Sequence, residues 1–171
     1  MLIFLDTEYT DEHRRELVSV GMVTEDGQRS IYLERIDFSR TRCNRFVVTN
    51  VLPHLGNDAV ALCTMPELGQ RLRAWFQALP RRVQLASDSA IDRDLLLMAM
   101  GDSLPANMNP VLYDLRPLVD TTVYDNTVAR YHEHPAHPWH HALHDALAQR
   151  AGWLAWRDHN RTGRPWPWIY S

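Results

Sequence analysis

The chain opens with LIFLDTEY, residues Leu2–Tyr9, and the rest of the sheet is expected to assemble around this segment. Its first four residues are apolar and include β-branched and aromatic side chains, which is typical of a central strand buried on both faces. Asp6 and Glu8 follow, and side chains two positions apart on a strand point to the same side. Since buried like charges resist ionisation unless a cation joins them, the pair indicates a site for a hard divalent cation such as Mg²⁺. Ordinary turn residues are the alternative.

Two further strands are predicted directly after this segment, at residues 16–24 and 30–34, joined by a turn that contains Asp26-Gly27. Three sequential strands with short connections form an antiparallel meander. Shorter strands are predicted at 83–86 and 111–113. The expected fold class is therefore α/β, with a mixed sheet whose first three strands are antiparallel, followed by shorter parallel strands and flanked by helices.

Helices are predicted from the spacing of apolar residues. Thr64 and Glu67 form a capping box before an apolar stripe at 65–79, and a second apolar helix spans 91–100. The last long helix begins at Ala142, with Gln149 on the side expected to face water. The remaining predicted helical segments are a short helix at 46–55, interrupted at Pro53, and helical turns at 114–119 and 121–130.

Composition favours one domain, residues 1–171, with enough apolar content (45%) for a real core. The formal net charge of −3 indicates neither a basic nucleic-acid coat nor an acidic tail. All 18 basic residues are arginine, which suits phosphate recognition, although a composition-biased genome also gives proteins without lysine. Cys43 and Cys63 are too few for a disulfide framework, so reduced thiols in the cytoplasm are expected. No apolar run has the length of a signal peptide core or a membrane span, so no membrane association is expected.

A third acid is expected to join the first two. Asp92 falls in the first turn of the helix at 91–100, just beyond the strand at 83–86, and ligands of such sheets bind off the carboxyl ends of strands. With Ser89 as N-cap, Asp92 also fits an ordinary capping box. Asp88, in the preceding loop, is the reserve candidate for the same role.

Six of the nine histidines lie between His132 and His144. One interpretation of this segment is a zinc site, since neutral imidazole is a favoured zinc ligand. The other is a single histidine acting as general base beside a fourth carboxylate, Asp145, in an oxygen-rich Mg²⁺ site.

The order of these parts resembles the DEDDh 3′ to 5′ exonucleases of the ribonuclease H-like, DnaQ-like superfamily. The resemblance is carried by Asp6-Thr7-Glu8, by Ala90-Ile91-Asp92 and by the segment from His140 to Asp145, HHALHD. It covers residues 2 to about 155. Within that group, the opening FLDTEY followed by ELVSVG at 16–21 looks most like the adenylate-specific bacterial exoribonucleases called ribonuclease AS.

The resemblance implies a ribonuclease H-like fold and a two-metal mechanism. Asp6, Glu8, Asp92 and Asp145 match the family's metal-binding carboxylates for two Mg²⁺ ions, which Mn²⁺ can replace, and His140 matches its general base. The implied substrate is the 3′ end of single-stranded RNA, cleaved to 5′-mononucleotides with adenylate preference by a homodimeric enzyme. A proofreading-type exonuclease acting on single-stranded DNA and a zinc hydrolase built on residues 132–145 are the alternatives.

Three residues are expected to contact the substrate: Thr7 and Tyr9, which flank the acids, and Glu16, which could bind an adenine edge as the resemblance suggests. The base itself has two candidates. In a regular helix His141 lies about 40° from Asp145 and His140 about 140° away, so His140 can face the metals only if it precedes the helix. We predict that it does.

The C-terminal segment, about 157–171, is rich in arginine and tryptophan. Such a mixture suits single-stranded RNA through stacking and phosphate pairing, or packing on its own domain or a partner subunit. The residues concerned are Arg157, Arg161, Arg164, Trp166 and Trp168.

Overall fold

The computed structural model describes residues 1–102, 104–119 and 121–162, and within these ranges six strands form one sheet. The strands are β1 (Leu2–Tyr9), β2 (Leu17–Thr24), β3 (Ser30–Arg35), β4 (Leu62–Cys63), β5 (Val83–Ser87) and β6 (Met108–Asp114). They lie in the order β4-β3-β2-β1-β5-β6. Pairing is antiparallel for β1 with β2 and for β2 with β3, and parallel for β5 with β1, β6 with β5 and β4 with β3. The predicted mixed α/β sheet is confirmed and is consistent with a ribonuclease H-like fold.

Helices flank this sheet in the described part of the chain. They are α1 (Arg45–Asn50), α2 (Met65–Gln77), α3 (Ala90–Met100), α4 (Arg116–Val119), α5 (Thr122–His132) and α6 (Ala142–Thr162), with short 3₁₀ turns at Arg40–Arg42 and Leu52–His54. The capping box of Thr64 and Glu67 starts α2 as predicted. No helix among the described residues combines the length and apolar character needed to cross a bilayer.

The central strand β1 is buried on both faces, which its apolar opening predicted. Ile3 and Leu5 point into a core shared with α2 and α3, whereas Phe4 points into a second core with α5 and α6, where its ring lies 5.5 Å from that of Trp153. Because successive side chains of a strand point to opposite faces, β1 contributes to a separate apolar core on each face of the sheet. The same alternation leaves Asp6 and Glu8 at the end of the strand where neither core covers them.

Gly21 sets the position of α6 relative to this strand end. It pairs with Asp6 across the β1–β2 ladder, and a Cβ at Gly21 would collide with the backbone of Ala142 and Leu143. Because only glycine allows this close approach, the first turn of α6 packs directly on β2 beside Asp6.

Several boundaries and one orientation differ from the sequence-based expectation. Strand β4 was not predicted, β6 is longer than 111–113, and the first six residues of the segment 157–171 continue α6. Gln149 was expected to face water, which is wrong: it is 6% exposed. The inner face of α6 is formed by small residues, Ala142 and Ala146, and this lets the helix lie close enough to the sheet to bury the amide.

Candidate active site

Four carboxylates meet at the carboxyl end of β1, and we call them the carboxylate centre: Asp6, Glu8, Asp92 and Asp145. Asp6 and Glu8 come from β1, Asp92 from the first turn of α3 and Asp145 from the first turn of α6. A cavity of about 250 Å³ is lined by the first three of them. A second cavity, of about 220 Å³, is lined by Asp6 and Asp145. Three separate elements therefore bring the predicted acids together.

Asp92 is held by hydroxyl groups. It is 3% exposed, and its carboxylate accepts hydrogen bonds from Thr7 Oγ1 and Ser87 Oγ, both at 2.7 Å. The N-cap of α3 is Ser89, whose side chain accepts from the N–H of Ile91. Asp92 is thus turned toward β1, and the hydroxyl of Thr7, expected to contact substrate, donates to this acid.

The reserve acid Asp88 lies in the same place. It lines both cavities, beside Asp92 in the first and beside Asp145 in the second. Burial raises its pKa. The structure therefore brings both candidates for the third acid to the centre, with Asp92 the more deeply held.

His140 and His141 face different surroundings. His140 lies two residues before α6 in a left-handed conformation, with φ of 60°, so the angle expected from a regular helix does not apply to it. Its ring nitrogen and carboxylate oxygens of Glu8 and Asp145 lie within 4.8 Å of one another. The ring of His141 instead stacks on Tyr32, with centroids 4.3 Å apart.

Electrostatics at the centre disfavour an ionised, cation-free state. Burial, together with the neighbouring carboxylates, raises the pKa of Glu8 to about 8 and that of Asp6 well above its ordinary value. Burial raises the pKa of Asp145 to about 7, although the N–H groups of His140 and His141 donate to it, and that of Asp92 to about 6. No arginine is among the described residues that line either cavity.

The donor atoms of this site can be compared with the ligands that divalent cations prefer, since the ribonuclease H-like fold implies such cations. Hard cations such as Mg²⁺ take carboxylate oxygens, and a bound cation would offset the burial and the repulsion that now raise each pKa. Oxygen donors from three elements converge on one point, and no side-chain cation competes for them within the described ranges. The donor set fits Mg²⁺ or Mn²⁺.

Four further histidines form a separate group, which we call the histidine cluster: His134, His137, His141 and His144. In it, His137 and His144 contact Tyr131, His134 contacts His137, and His141 contacts His144. The ring of His137 stacks on that of Tyr131, with centroids 4.3 Å apart, and its Nδ1 lies 3.1 Å from the carbonyl oxygen of Tyr131. The Tyr131 hydroxyl lies 3.0 Å from His144 Nδ1. Among the described residues, only Glu8, His140 and Asp145 meet the spacing of three ligands for one metal. The zinc site considered from the sequence is thus not assembled in this cluster.

The remaining predicted substrate contacts differ in position. Tyr9 lines the first cavity. Glu16 lines neither cavity, because its carboxylate pairs with Arg35 at 3.2 Å and Arg42 at 3.5 Å. A role for Glu16 in binding adenine stays a prediction. Its carboxylate would have to bind the base while it also pairs with Arg35 and Arg42.

Three residues near the site were not identified from the sequence. Gln149 Nε2 donates to Asp6 Oδ1 at 3.4 Å, His132 Nε2 lies 3.3 Å from Asp145 Oδ1, and Phe46 lines the first cavity with its ring edge-on to His140 at 4.7 Å. The position of Gln149 four residues after Asp145, on the same helix face, was the available signal.

The arginines and tryptophans of the C-terminal segment are only partly described. Arg157 in α6 pairs with Asp158 at 3.1 Å and covers the ring of Trp153 at 4.9 Å, so this side chain packs on its own domain. Arg164, Trp166 and Trp168 lie outside the described residues.

Comparison with known proteins gives a partial match. No protein-family profile matches the chain. Two proteins from Mycobacterium tuberculosis are similar to it, 3′-5′ exoribonuclease MT2234.1 of strain CDC 1551 / Oshkosh and 3′-5′ exoribonuclease Rv2179c of strain ATCC 25618 / H37Rv. Each is 43% identical over 63 residues, which are 36% of this chain and 37% of the relative. The match therefore spans about a third of the curated relatives, and it supports a relationship with 3′-5′ exoribonucleases at that coarse level.

Proposed function

We propose that this protein is a metal-dependent 3′ to 5′ exoribonuclease that hydrolyses single-stranded RNA and releases 5′-mononucleotides. One observation carries the proposal: one buried and three half-buried carboxylates converge with a histidine at the end of β1, and no arginine lines the cavities among the described residues. The partial similarity to proteins named 3′-5′ exoribonucleases supports the choice of RNA.

The four acids of the carboxylate centre would hold two Mg²⁺ ions, with Asp6 placed to serve both because it lines both cavities. Such ions activate the attacking water and stabilise the leaving oxygen of an in-line displacement. The residues around them keep the ligands in place. Thr7 and Ser87 fix Asp92, and Gln149 holds Asp6.

His140 would accept the proton of the attacking water. Burial lowers the pKa of its imidazole, and the nearby His54 lowers it further, so the ring is neutral at pH 7 and able to act as a base. Its left-handed backbone brings the ring to Glu8 and Asp145, where the water would lie. Phe46 packs edge-on against the ring and restricts its rotation.

The first cavity would take the 3′-terminal nucleotide. Tyr9, Phe46 and Asn44 line it together with the acids, and these groups offer aromatic surface and an amide to a base and a ribose. Adenylate preference and a homodimer are the finer parts of the proposal, which the resemblance to ribonuclease AS implies. Two free thiols, Cys43 and Cys63, suit a reducing cytoplasm.

The proposal is tested with homopolymer RNA and DNA oligonucleotides labelled at either end, after removal of metals by a chelator. With Mg²⁺ or Mn²⁺ restored, we expect 5′-labelled RNA to give a ladder and 3′-labelled RNA to give labelled mononucleotide from the first turnover. Adenylate RNA should be the best substrate. The Asp6→Asn variant is the control for contaminating nucleases.

Three outcomes would contradict the proposal. Faster cleavage of DNA than of RNA would favour the proofreading-type alternative. Internal cleavage would show an endonuclease. Activity restored by Zn²⁺ and not by Mg²⁺ would favour a zinc hydrolase that uses the histidines of residues 132–145.

A further inference from the structure

Two cavities meet at the carboxylate centre, and the proposed function places a nucleotide only in the first. Both are lined by Asp6, Asp88 and His140, so a chain that occupies one cavity can continue into the other across the metal-binding acids. The second is bounded by His132 at the end of α5, by Trp139 in the segment between α5 and α6, and by Gln149 of α6. The proposed function assigns no role to the aromatic wall of this cavity, formed by His132 and Trp139.

Trp139 is the unusual member of this wall. It is 48% exposed, although indole is among the side chains that usually gain most from burial, and it belongs to none of the three apolar cores. One side of its ring system is covered by His132, with ring centroids 3.8 Å apart and planes inclined by 21°. A second planar group can still stack on the exposed part of the indole.

The support beneath Trp139 is fixed in place. The side chain of His132 has no exposed surface, and its Nδ1 lies 2.9 Å from the carbonyl oxygen of His137, to which it must donate because a carbonyl only accepts. The other ring nitrogen lies 3.3 Å from Asp145 Oδ1. The ring of His132 is thus anchored to backbone through Nδ1, while its Nε2, a buried atom with no hydrogen-bond partner among the described residues, faces an acid of the carboxylate centre.

We propose that Trp139 is a stacking platform for the base of the penultimate nucleotide, the one whose 3′ oxygen leaves when the bond is cut. This inference rests on the proposed function. The terminal nucleotide fills the cavity lined by Tyr9 and Phe46, the scissile phosphate lies over Asp6, and the preceding base therefore reaches the cavity that Trp139 borders. Aromatic platforms of this kind bind the π-face of any base in single-stranded RNA, so the site sets the position of the strand and adds no base preference.

The test is a cycle that combines a protein change with a substrate change. Wild type, Trp139→Ala and Trp139→Phe are compared on an adenylate oligomer and on the same oligomer with an abasic ribose at the penultimate position. We expect Trp139→Ala to lower kcat/KM on the complete oligomer about tenfold, in line with the loss of one base–aromatic stack. Wild type should lose about as much on the abasic oligomer, and Trp139→Ala should lose nothing further there. Trp139→Phe, which keeps a stacking ring, should stay within about threefold of wild type.

Phe46→Ala is the matched control, because it removes an exposed aromatic ring from the first cavity. It should become insensitive to removal of the terminal base and remain sensitive to removal of the penultimate one. The inference is overturned if Trp139→Ala is as active as wild type, if it loses the same factor on both oligomers, or if its sensitivity maps to the terminal base. Thermal unfolding of each variant separates these outcomes from loss of the fold.

Binding measured in the Asp6→Asn background separates this inference from the proposed function. There, Trp139→Ala should weaken the affinity for the complete oligomer about tenfold and leave the affinity for the penultimate-abasic oligomer unchanged. RNA binding that depends on Trp139 without any hydrolysis by wild type would reject the exonuclease and retain the platform. Hydrolysis without that dependence would reject the platform alone.

Discussion

The carboxylate centre and the histidine cluster are both rich in groups that bind metals, yet they are built in opposite ways. In the centre, carboxylates from β1, α3 and α6 converge, repel one another and hold raised pKa values. In the cluster, rings pack on Tyr131 and on one another, and two ring nitrogens, those of His137 and His144, lie within hydrogen-bonding distance of an oxygen of Tyr131.

The difference shows what distinguishes a site from a group of polar residues. Polar groups that pack on and hydrogen-bond to their neighbours stabilise the fold. Like-charged groups that converge without a counter-charge require a ligand. The number of possible ligands in a segment is a poor guide, since the cluster has as many as the centre. Four experiments can break or sharpen this comparison.

The largest effect is expected from removing one charge of the centre. Asp6→Asn should lower kcat about 10³-fold or more, because Asp6 lines both cavities and its loss would affect both of the proposed ions. His144→Ala, the matched change in the cluster, should stay within about threefold of wild type, because its ring contacts other rings and the Tyr131 hydroxyl. Steady-state rates on labelled RNA give the comparison, and equal losses in both variants would contradict it.

The second experiment separates the adjacent histidines. His140→Asn keeps a side chain that tolerates a left-handed backbone, yet lacks a base, and should lower kcat about 10²-fold. His141→Asn should leave kcat within about threefold and lower the melting temperature, because it removes the stack on Tyr32. A large loss of kcat in the His141 variant alone would contradict the assignment of His140 as the general base.

A smaller effect is expected from the buried amide on α6. Gln149→Leu preserves side-chain volume but removes the hydrogen bond to Asp6 Oδ1, so the Mg²⁺ concentration for half-maximal activity should rise about tenfold. A change in kcat with an unaltered Mg²⁺ requirement would show that Gln149 acts in another way. His137→Leu in the cluster should leave the Mg²⁺ requirement unchanged.

The smallest effect is a pH dependence of stability with opposite signs for the two regions. A buried carboxyl with a raised pKa binds more protons in the folded than in the unfolded chain, so it lowers stability as pH rises; for Glu8 this continues to a pH of about 8. In the cluster, burial lowers the pKa of His144 to about 4 from an ordinary value of 6.5. The unfolded chain then takes up the proton first, and stability falls as pH drops below 6.5.

The two effects on stability can be separated by pH, because the contribution of the carboxyls dominates above pH 6.5 and that of His144 dominates below it. Between pH 6.5 and 8 Glu8 alone should cost the metal-free protein about 2 kcal/mol of stability, a fall of roughly 5 °C in melting temperature, and Asp6 and Asp145 act in the same direction. Saturating Mg²⁺ should abolish that fall by satisfying the carboxylates. Calorimetry at both pH values, with chelator or with Mg²⁺, measures it, and a fall that Mg²⁺ does not change would place its origin outside the centre.

The sequence predicted those parts of the site that depend on local pattern. Asp6 and Glu8 end an apolar run, and Asp92 opens a helix after a strand, so the sheet's geometry alone brings them together. Trp139 and His132 could not be found this way, because they meet through an irregular segment between two helices that no periodicity describes. Gln149 was missed for another reason: its polarity suggested a solvent-facing side, and the small residues beside it decided the packing.

The left-handed backbone of His140 has a consequence for engineering and evolution. A side chain at a positive φ costs about 1 kcal/mol that glycine would not incur, so His140→Gly is expected to raise the melting temperature while removing the proposed base. A library selected for heat resistance alone would therefore be enriched in inactive proteins at this position. Comparing the residues that survive selection for stability with those that survive selection for RNA turnover would reveal such a trade-off without any kinetic measurement.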